Sequence, residues 1–394
     1  MSRNINLGVI VNSQIPTLIQ LVLASLLAHN LSQQDYGTFN LLKNIIIMGY
    51  AFVSFGFERT VLNLQKNSSL RTITNNIVPI RAVLFISAAV GMLIYTTIIG
   101  ILPLLIFLSV ACLAPAIFDI RFGFDINQTV HKDVSINVMR AAPLLLLIPL
   151  LFVIDSGELI LTLHFILLLG GYMLYVFLQH RHLPGLIGRP ETTHSWKFLR
   201  LGIFTFLGSV AASLNLYLSS ILIEARLGLG ELAIYSVALT IYAGVLSLFT
   251  LIVRFFVSEY LSSDRPEHEF KRCLVLVLPL WLLITVVFTF YGRTLIGIVF
   301  GAGYDGAYAS VQILLFSLLV APLSIYFNSL LIIKGSTIMF MLVRYTGLAV
   351  NLVTVLILTG ALGISGAALG MLLGMLWTAL SGTLVYYRLS HNPI

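Results

Sequence analysis

The sequence predicts an all-α polytopic membrane protein. Its twelve transmembrane helices are expected to form two six-helix, pseudo-symmetric bundles around a central cavity, with both termini in the cytoplasm. Three observations support this fold class: the composition, the positions of the basic residues and a sequence repeat. Of the 394 residues, 59% are hydrophobic and only 9% are charged. Because apolar runs recur from end to end, a water-soluble domain of this size is excluded.

Each apolar run is long enough for a transmembrane helix, which needs about 20 residues to cross a bilayer. The predicted spans cover residues 7–29, 38–58, 77–98, 101–119, 136–154, 159–179, 201–223, 232–257, 273–292, 309–330, 339–359 and 366–387. The first run follows a short head with one Arg and lacks a small-residue cleavage site. It is therefore predicted to be a span, and no signal peptide is expected to be removed.

The basic residues sort to one side of these spans. With the N-terminus placed in the cytoplasm, all of the 22 Lys and Arg residues fall on cytoplasmic segments except Lys43 within the membrane and Arg226 and Arg293 outside. This bias predicts cytoplasmic N- and C-termini. The net charge of +7 therefore reflects topology, and nucleic-acid binding is not predicted.

The two halves of the chain repeat one another. Four matched pairs occur in the same order: Asp35 and Glu231, Pro79 and Pro279, Pro115 and Pro322, and Arg140 and Arg344. Six spans per repeat give both halves the same orientation, which predicts a pseudo-twofold axis along the membrane normal. The predicted domains are an N-terminal bundle (1–180), a cytoplasmic linker (181–200) and a C-terminal bundle (201–394). Recurrence of Pro and Arg by composition is the alternative.

The eighth span has one polar stripe on an otherwise apolar helix. Steps of three and four residues bring onto one face Ser236, Thr240, Ala243, Ser247, Thr250 and Arg254. Hydrocarbon penalises hydroxyls and a guanidinium, so this face is predicted to line a water-filled passage. The alternative is that the hydroxyls join helices and that Arg254 extends to the membrane interface.

The second span has a comparable stripe. Its residues are Asn40, Lys43, Ile47, Tyr50, Ser54 and Glu58. The repeat places Glu58 over Arg254, and the two are predicted to pair as a cytoplasmic gate, with Lys43 deeper in the passage. Glu58 could instead pair with Arg59, and the Lys43 amine could extend to the outer interface.

The predicted substrate-binding residues are Lys43, Tyr50, Ser54, Thr240, Ser247, Thr250 and Arg254. Near-membrane charges are strongly basic, and no Asp or Glu is placed in the middle of a span. Such a cavity favours an anionic cargo, since guanidinium groups suit phosphate oxygens. Arg81, Arg140 and Arg344 lie about one turn inside cytoplasmic helix ends, where topology signalling alone would place an Arg.

Enzyme signatures are missing from the sequence. It has no Gly-rich phosphate loop, no His-Glu-x-x-His motif and no paired acids on a sizeable external loop. Cys112 and Cys273 have neither a pairing pattern nor metal-ligand spacing. His164 is expected to make a hydrogen bond between helices. The sequence thus predicts a protein that is not an enzyme and that uses no cofactor or metal.

Four short motifs resemble the multidrug/oligosaccharidyl-lipid/polysaccharide (MOP) exporter superfamily, specifically its polysaccharide-biosynthesis or O-antigen flippase branch. They cover residues 31–39, 231–236, 299–304 and 362–368. The resemblance implies that undecaprenyl-diphosphate-linked oligosaccharides move from the inner to the outer leaflet by alternating access, in a cationic cavity. It also implies the bacterial cytoplasmic (inner) membrane, contact with membrane lipid, and polysaccharide polymerase and chain-length machinery as partners.

Two other functions remain open. A drug or metabolite antiporter of the same superfamily is disfavoured, because it would usually need a carboxylate in mid-span to couple cation entry to cationic drug exit. A membrane scaffold without transport would leave the polar stripes unexplained. No nucleotide-binding motif is present, so a membrane potential or an ion gradient is the expected energy source.

Overall fold

The computed structural model describes residues 7–56, 69–127, 129–186, 188, 195–260 and 266–391. Within these ranges every regular element is a helix. The α-helices are α1 (Leu7–Asn30), α2 (Gln33–Ser54), α3 (Leu70–Ile98), α4 (Pro103–Ala111), α5 (Phe122–Ile126), α6 (Val130–Ala141), α7 (Leu147–Leu150), α8 (Gly157–His182), α9 (Ser195–Leu227), α10 (Leu229–Tyr260), α11 (Pro266–Phe300), α12 (Ala307–Ile333), α13 (Thr337–Leu362) and α14 (Ile364–His391). Short 3-10 helices cover Ala114–Phe118, Ala142–Leu146 and Ala302–Tyr304.

Ten segments of the described chain are long and apolar enough to cross a membrane. They are Leu70–Ile98, Pro103–Phe124, His131–Leu150, Gly157–His182, Gly202–Leu227, Leu229–Arg254, Phe270–Phe300, Ala307–Ile333, Thr337–Leu362 and Ile364–Leu389. Helices α1 and α2 coincide with the first two predicted spans but are not among the ten. In α2 the cause is the polar content, which includes Asn40, Lys43 and Asn44.

Two predicted spans are interrupted at prolines. Helix α4 ends at Ala111, and Pro115 opens a 3-10 helix; Pro143 occupies the same position in the 3-10 helix after α6. A proline has no N–H to donate and its ring clashes with the preceding turn, so the α-helix stops there. By contrast, α3 and α11 continue through Pro79 and Pro279.

The chain forms two compact units. The first contains Met1–Asn30 and Leu42–Val210, and the second contains Leu31–Leu41 and Ala211–Ile394. Helices α2 and α9 therefore each contribute to both units. The predicted division into 1–180, 181–200 and 201–394 describes the sequence halves and stays a prediction. The structure, in addition, assigns residues 31–41 to the second unit.

Close contacts hold the first turns of α2 in the second unit. The Gln33 side chain donates from Nε2 to the Gly303 carbonyl at 2.8 Å. The Tyr36 ring meets the Tyr304 ring edge-on, with 5.5 Å between centroids. Burial at this contact raises the pKa of the Tyr304 hydroxyl to about 12. A Cβ on Gly37 would lie 2.1 Å from the Leu229 carbonyl oxygen, so only glycine fits there.

Replacing Gly37 with Ala is expected to separate the starts of α2 and α10. The clash involves backbone, so it cannot be relieved by a side-chain rotation. We expect the free energy of unfolding to fall by about 2 kcal/mol, measured as a lower thermal unfolding temperature in detergent. Gly230→Ala is the matched control, because a Cβ there meets nothing within 4 Å. Equal unfolding temperatures for the two variants would contradict the proposed fit.

Helices α13 and α14 pack through glycines. A Cβ on Gly366 would lie 2.4 Å from the Leu358 carbonyl oxygen, and one on Gly370 would lie 2.5 Å from a Val355 methyl. Small residues allow such close approach in membranes, where packing and hydrogen bonds must replace the hydrophobic effect between helices. The Asn351 amide adds two hydrogen bonds to Asn215, at 2.8 Å to its carbonyl and 3.0 Å to its side-chain oxygen.

Candidate functional site

The predicted stripe on α10 is a continuous helical face. Thr240, Ser247 and Thr250 are half-buried, and Arg254 is exposed. The Ser247 hydroxyl donates to the Gly244 carbonyl and the Thr250 hydroxyl to the Leu246 carbonyl, both at 2.8 Å. Both hydroxyls therefore bond to a carbonyl of their own helix, as Ser and Thr in helices often do. Whether the stripe lines a passage stays a prediction.

Arg254 lies at the end of the candidate span Leu229–Arg254. Its guanidinium makes no hydrogen bond or ion pair with the part of the chain that the structure describes. Its predicted partner, Glu58, lies outside the described residues. The Glu58–Arg254 gate therefore stays a prediction.

The predicted stripe on α2 divides between different environments. Lys43 is half-buried in the first unit. The Ser54 hydroxyl donates to the Ala51 carbonyl at 3.0 Å, within the same helix. Tyr50 instead reaches out of its helix, and its hydroxyl donates to Asp119 Oδ2 at 2.5 Å.

Asp119 is the centre of a polar cluster in the first unit. The side chain is 1% exposed, and each carboxylate oxygen accepts two hydrogen bonds. Oδ2 accepts from the Tyr50 hydroxyl and from Arg121 Nε at 3.1 Å. Oδ1 accepts at 3.0 Å from both the Gln179 amide and the Arg121 backbone N–H. This full set of donors offsets the high cost of burying a carboxylate.

Arg81 connects this cluster to the end of α2. It is only 2% exposed. Its Nε and Nη2 donate to the Ser54 carbonyl at 3.3 and 3.2 Å, and its Nη1 donates to the Asp119 carbonyl. At Ser54 the helix stops, because Phe55 and Gly56 take left-handed conformations with φ of 57° and 59°. A cation beside the last carbonyls of a helix stabilises that end.

Three tyrosine rings and two guanidinium groups contact one another next to the cluster. The rings of Tyr50 and Tyr172 stack with 5.5 Å between centroids and 23° between planes. The Arg121 guanidinium carbon lies 5.8 Å from the Tyr50 centroid. The Arg140 guanidinium carbon lies 5.1 Å from the Tyr172 centroid and 5.8 Å from that of Tyr175. We call these five residues the arginine–tyrosine column.

The cluster requires one correction to the sequence interpretation. The fourth span was predicted to end at Asp119, whereas the structure continues it to Phe124 and buries the carboxylate. The reason is the break at Pro115, after which the chain turns inward and forms another short helix. Arg81 likewise has a structural role in the core of the unit, beyond the topology signal by which the sequence accounted for it.

One sequence signal could have revealed the missed residues. Tyr172, Tyr175 and Gln179 are spaced by three and four residues on α8, and all three are buried. That spacing puts them on one helix face. The Gln179 amide donates to Asp119, while the Tyr172 ring stacks on Tyr50 and the Tyr175 ring contacts Arg140. Among the described residues, no group of three or more His, Cys, Asp or Glu side chains could hold a metal ion.

The chain matches no protein-family profile and no curated protein sequence. Solved structures do match. The lipid II flippase MurJ in an inward closed conformation has a TM-score of 0.75 at 13% identity, over 96% of this chain and 87% of that one. A eukaryotic MATE transporter has a TM-score of 0.67 at 14% identity, over 96% and 93%. An inward-facing multidrug resistance MATE transporter of the MOP superfamily has 0.65 at 12%, over 96% of both chains.

These similarities establish the fold. The chain is an all-helical, multi-pass membrane protein with the fold of these transporter structures, and the predicted fold class is confirmed. The structural neighbours are transporters and not enzymes. The cytoplasmic location of both termini stays a prediction.

Proposed function

We propose that this protein is a flippase for a polyprenyl-diphosphate-linked oligosaccharide. The cargo is O-antigen or a similar surface-glycan repeat unit, and it moves from the cytoplasmic to the outer leaflet by alternating access. The structural likeness to a lipid II flippase supports this class of cargo. We also assign the protein to the bacterial cytoplasmic membrane, with polysaccharide polymerase and chain-length machinery as partners.

One observation supports the proposal most directly. Arg254 and Arg140 lie in membrane-spanning segments, and within the described ranges neither guanidinium meets a hydrogen-bond acceptor or a carboxylate. A guanidinium within a candidate span is costly unless it has a function or a partner. A diphosphate supplies the acceptors, because its oxygens match the planar fork of N–H groups. A scaffold without transport would not need these donors.

A drug or metabolite antiporter is the second candidate. Asp119 favours it, since a carboxylate buried in a span can bind a proton or a cation. However, Asp119 already accepts from Tyr50, Gln179 and Arg121. A coupling cation would have to displace these donors, so we rank this function below the flippase.

Reconstitution separates the two candidates. Liposomes that contain the purified protein are loaded either with an undecaprenyl-diphosphate-linked disaccharide or with a cationic dye. We expect protein-dependent movement of the lipid-linked sugar between leaflets, detected by its accessibility to a lectin added outside, and no gradient-driven movement of the dye. Dye antiport without movement of the lipid would overturn the flippase assignment and favour the antiporter.

A further inference from the structure

Arg140 occupies an unusual position for a charged residue. It lies in the last turn of α6, within the candidate span His131–Leu150, and is half-buried. Its charge is stabilised by the faces of two rings, Tyr172 and Tyr175, one turn apart on α8. In neither contact does a guanidinium N–H group donate a hydrogen bond to an acceptor. The five donors of Arg140 therefore have no acceptor in the described part of the chain.

A glycine on α8 lies against the backbone of Arg140. Gly171 faces the carbonyl of Arg140, and a Cβ there would lie 2.3 Å from the carbonyl oxygen. The glycine allows α6 and α8 to approach closely, next to the tyrosine on which the guanidinium stacks. A larger residue at position 171 would move Arg140 away from its rings.

The acidic side chains nearby are already bonded elsewhere. Asp133 accepts from the Tyr175 hydroxyl at 2.9 Å. Asp119 forms an ion pair with Arg121, with 3.1 Å between Arg121 Nε and Asp119 Oδ2. In the described residues neither carboxylate pairs with Arg140. The two tyrosine rings thus contact a guanidinium whose N–H donors meet no acceptor among the described residues.

We propose that Arg140 is an anion-binding residue of the first unit that takes phosphate oxygens of a polyprenyl-diphosphate lipid. This inference rests on the proposed function. It gives a cargo-binding role to Arg140, a residue whose position the sequence analysis explained by topology alone. Contact with the Tyr172 and Tyr175 rings restricts the Arg140 side chain, so less side-chain entropy is lost when the phosphate binds. The two stacked rings thereby act as positioning residues for the anion-binding group.

Binding to the full-length protein in phosphatidylcholine nanodiscs tests the inference. The probe is undecaprenyl diphosphate, and its dissociation constant is measured by native mass spectrometry for wild type, Arg140→Gln and Arg140→Lys. We expect Arg140→Gln to weaken binding about 10-fold or more, since charge-assisted hydrogen bonds are lost. Arg140→Lys keeps the charge but not the fork, and is expected to lose affinity by a smaller factor.

Arg293→Gln is the matched control. Its guanidinium also stacks on a tyrosine, with 5.2 Å to the Tyr308 centroid, but it lies in the second unit and is exposed. Affinity should be unchanged in this variant. Two further variants test the positioning: Tyr172→Leu removes the stacking face and should weaken binding, whereas Tyr172→Phe keeps the ring and should not.

Two further probes identify the source of the phosphate. Inorganic pyrophosphate that competes with the lipid would support recognition of the diphosphate group itself; failure to compete, together with weaker lipid binding by Arg140→Gln, would support a site that requires the lipid-linked form. Equal binding of phosphatidylglycerol would overturn the inference, because the site would then accept any anionic headgroup.

Three other outcomes distinguish a failure of the Arg140 inference from a failure of the proposed function. Wild-type binding that Arg140→Gln leaves unchanged would overturn the role of Arg140 and leave the proposed function standing. No wild-type binding of undecaprenyl diphosphate would overturn both. A lower unfolding temperature for Arg140→Gln that is equal with and without the probe, combined with normal affinity, would assign Arg140 to structure and overturn the inference.

Discussion

Replacing Arg254 with Gln is expected to lower the rate of lipid-linked oligosaccharide flipping about 30-fold or more. The substitution removes an exposed charge at the end of the candidate span Leu229–Arg254, where it makes no hydrogen bond or ion pair with a described residue. If this guanidinium binds the diphosphate, its loss should cost about 2 kcal/mol of interaction. The measurement is the initial rate of flipping in liposomes that contain equal amounts of folded protein. Arg254→Lys should retain part of the rate.

Arg181→Gln is the control for a general charge effect. This residue is exposed in the last turn of α8 and falls on a segment that the sequence places in the cytoplasm. The cationic dye adds a second readout, because an exporter of cations should not depend on Arg254. Wild-type flipping by Arg254→Gln would remove the main cavity residue of the proposed mechanism.

The sequence predicted the fold class because hydropathy and charge placement act along the chain. Each apolar run must be helical in a bilayer, where every backbone group needs an internal partner. The spacing on α10 was equally readable, since a helix brings every third or fourth residue to one face. These are local properties, and the structure places Thr240, Ser247 and Thr250 on one continuous helix as expected.

The Asp119 cluster was not predictable in the same way. It depends on three segments that are distant in the sequence: the break after α4, the end of α2 at Ser54 and one face of α8. These segments meet only in the folded chain. A hydropathy pattern gives the length of a span but not the direction in which the chain turns at Pro115. Arg81 had a sufficient explanation in topology, so nothing in the sequence required a second role for it.

The assignment of residues 31–41 to the second unit was not predictable for the same reason, because it depends on tertiary contacts. Residues 31–41 look like the beginning of the second span, and only their contacts with Gly303, Tyr304 and Leu229 assign them to the second unit. The first turns of α2 thus belong to the second unit and its last turns to the first.

Replacing Arg81 with Gln is expected to destabilise the first unit strongly. The buried guanidinium donates to the Ser54 and Asp119 carbonyls, and its charge lies close to the Asp119 carboxylate. Gln cannot reach both carbonyls, so buried acceptors would be left without donors and the carboxylate would keep Arg121 as its cationic partner. We expect the free energy of unfolding to fall by about 3 kcal/mol or more, measured by thermal unfolding in detergent.

Arg71→Gln is the matched control, because Arg71 is exposed in the first turn of the same helix, α3. It should unfold within a few degrees of wild type. A second comparison is Arg81→Lys, which keeps the charge but cannot bridge two carbonyls as a fork does, and should recover only part of the loss. If Arg81→Gln and Arg71→Gln unfold at the same temperature, the Arg81 contacts contribute nothing to the unit. The end of α2, with Phe55 left-handed and its ring stacked on Phe206 at 4.3 Å, would then be held by aromatic packing alone.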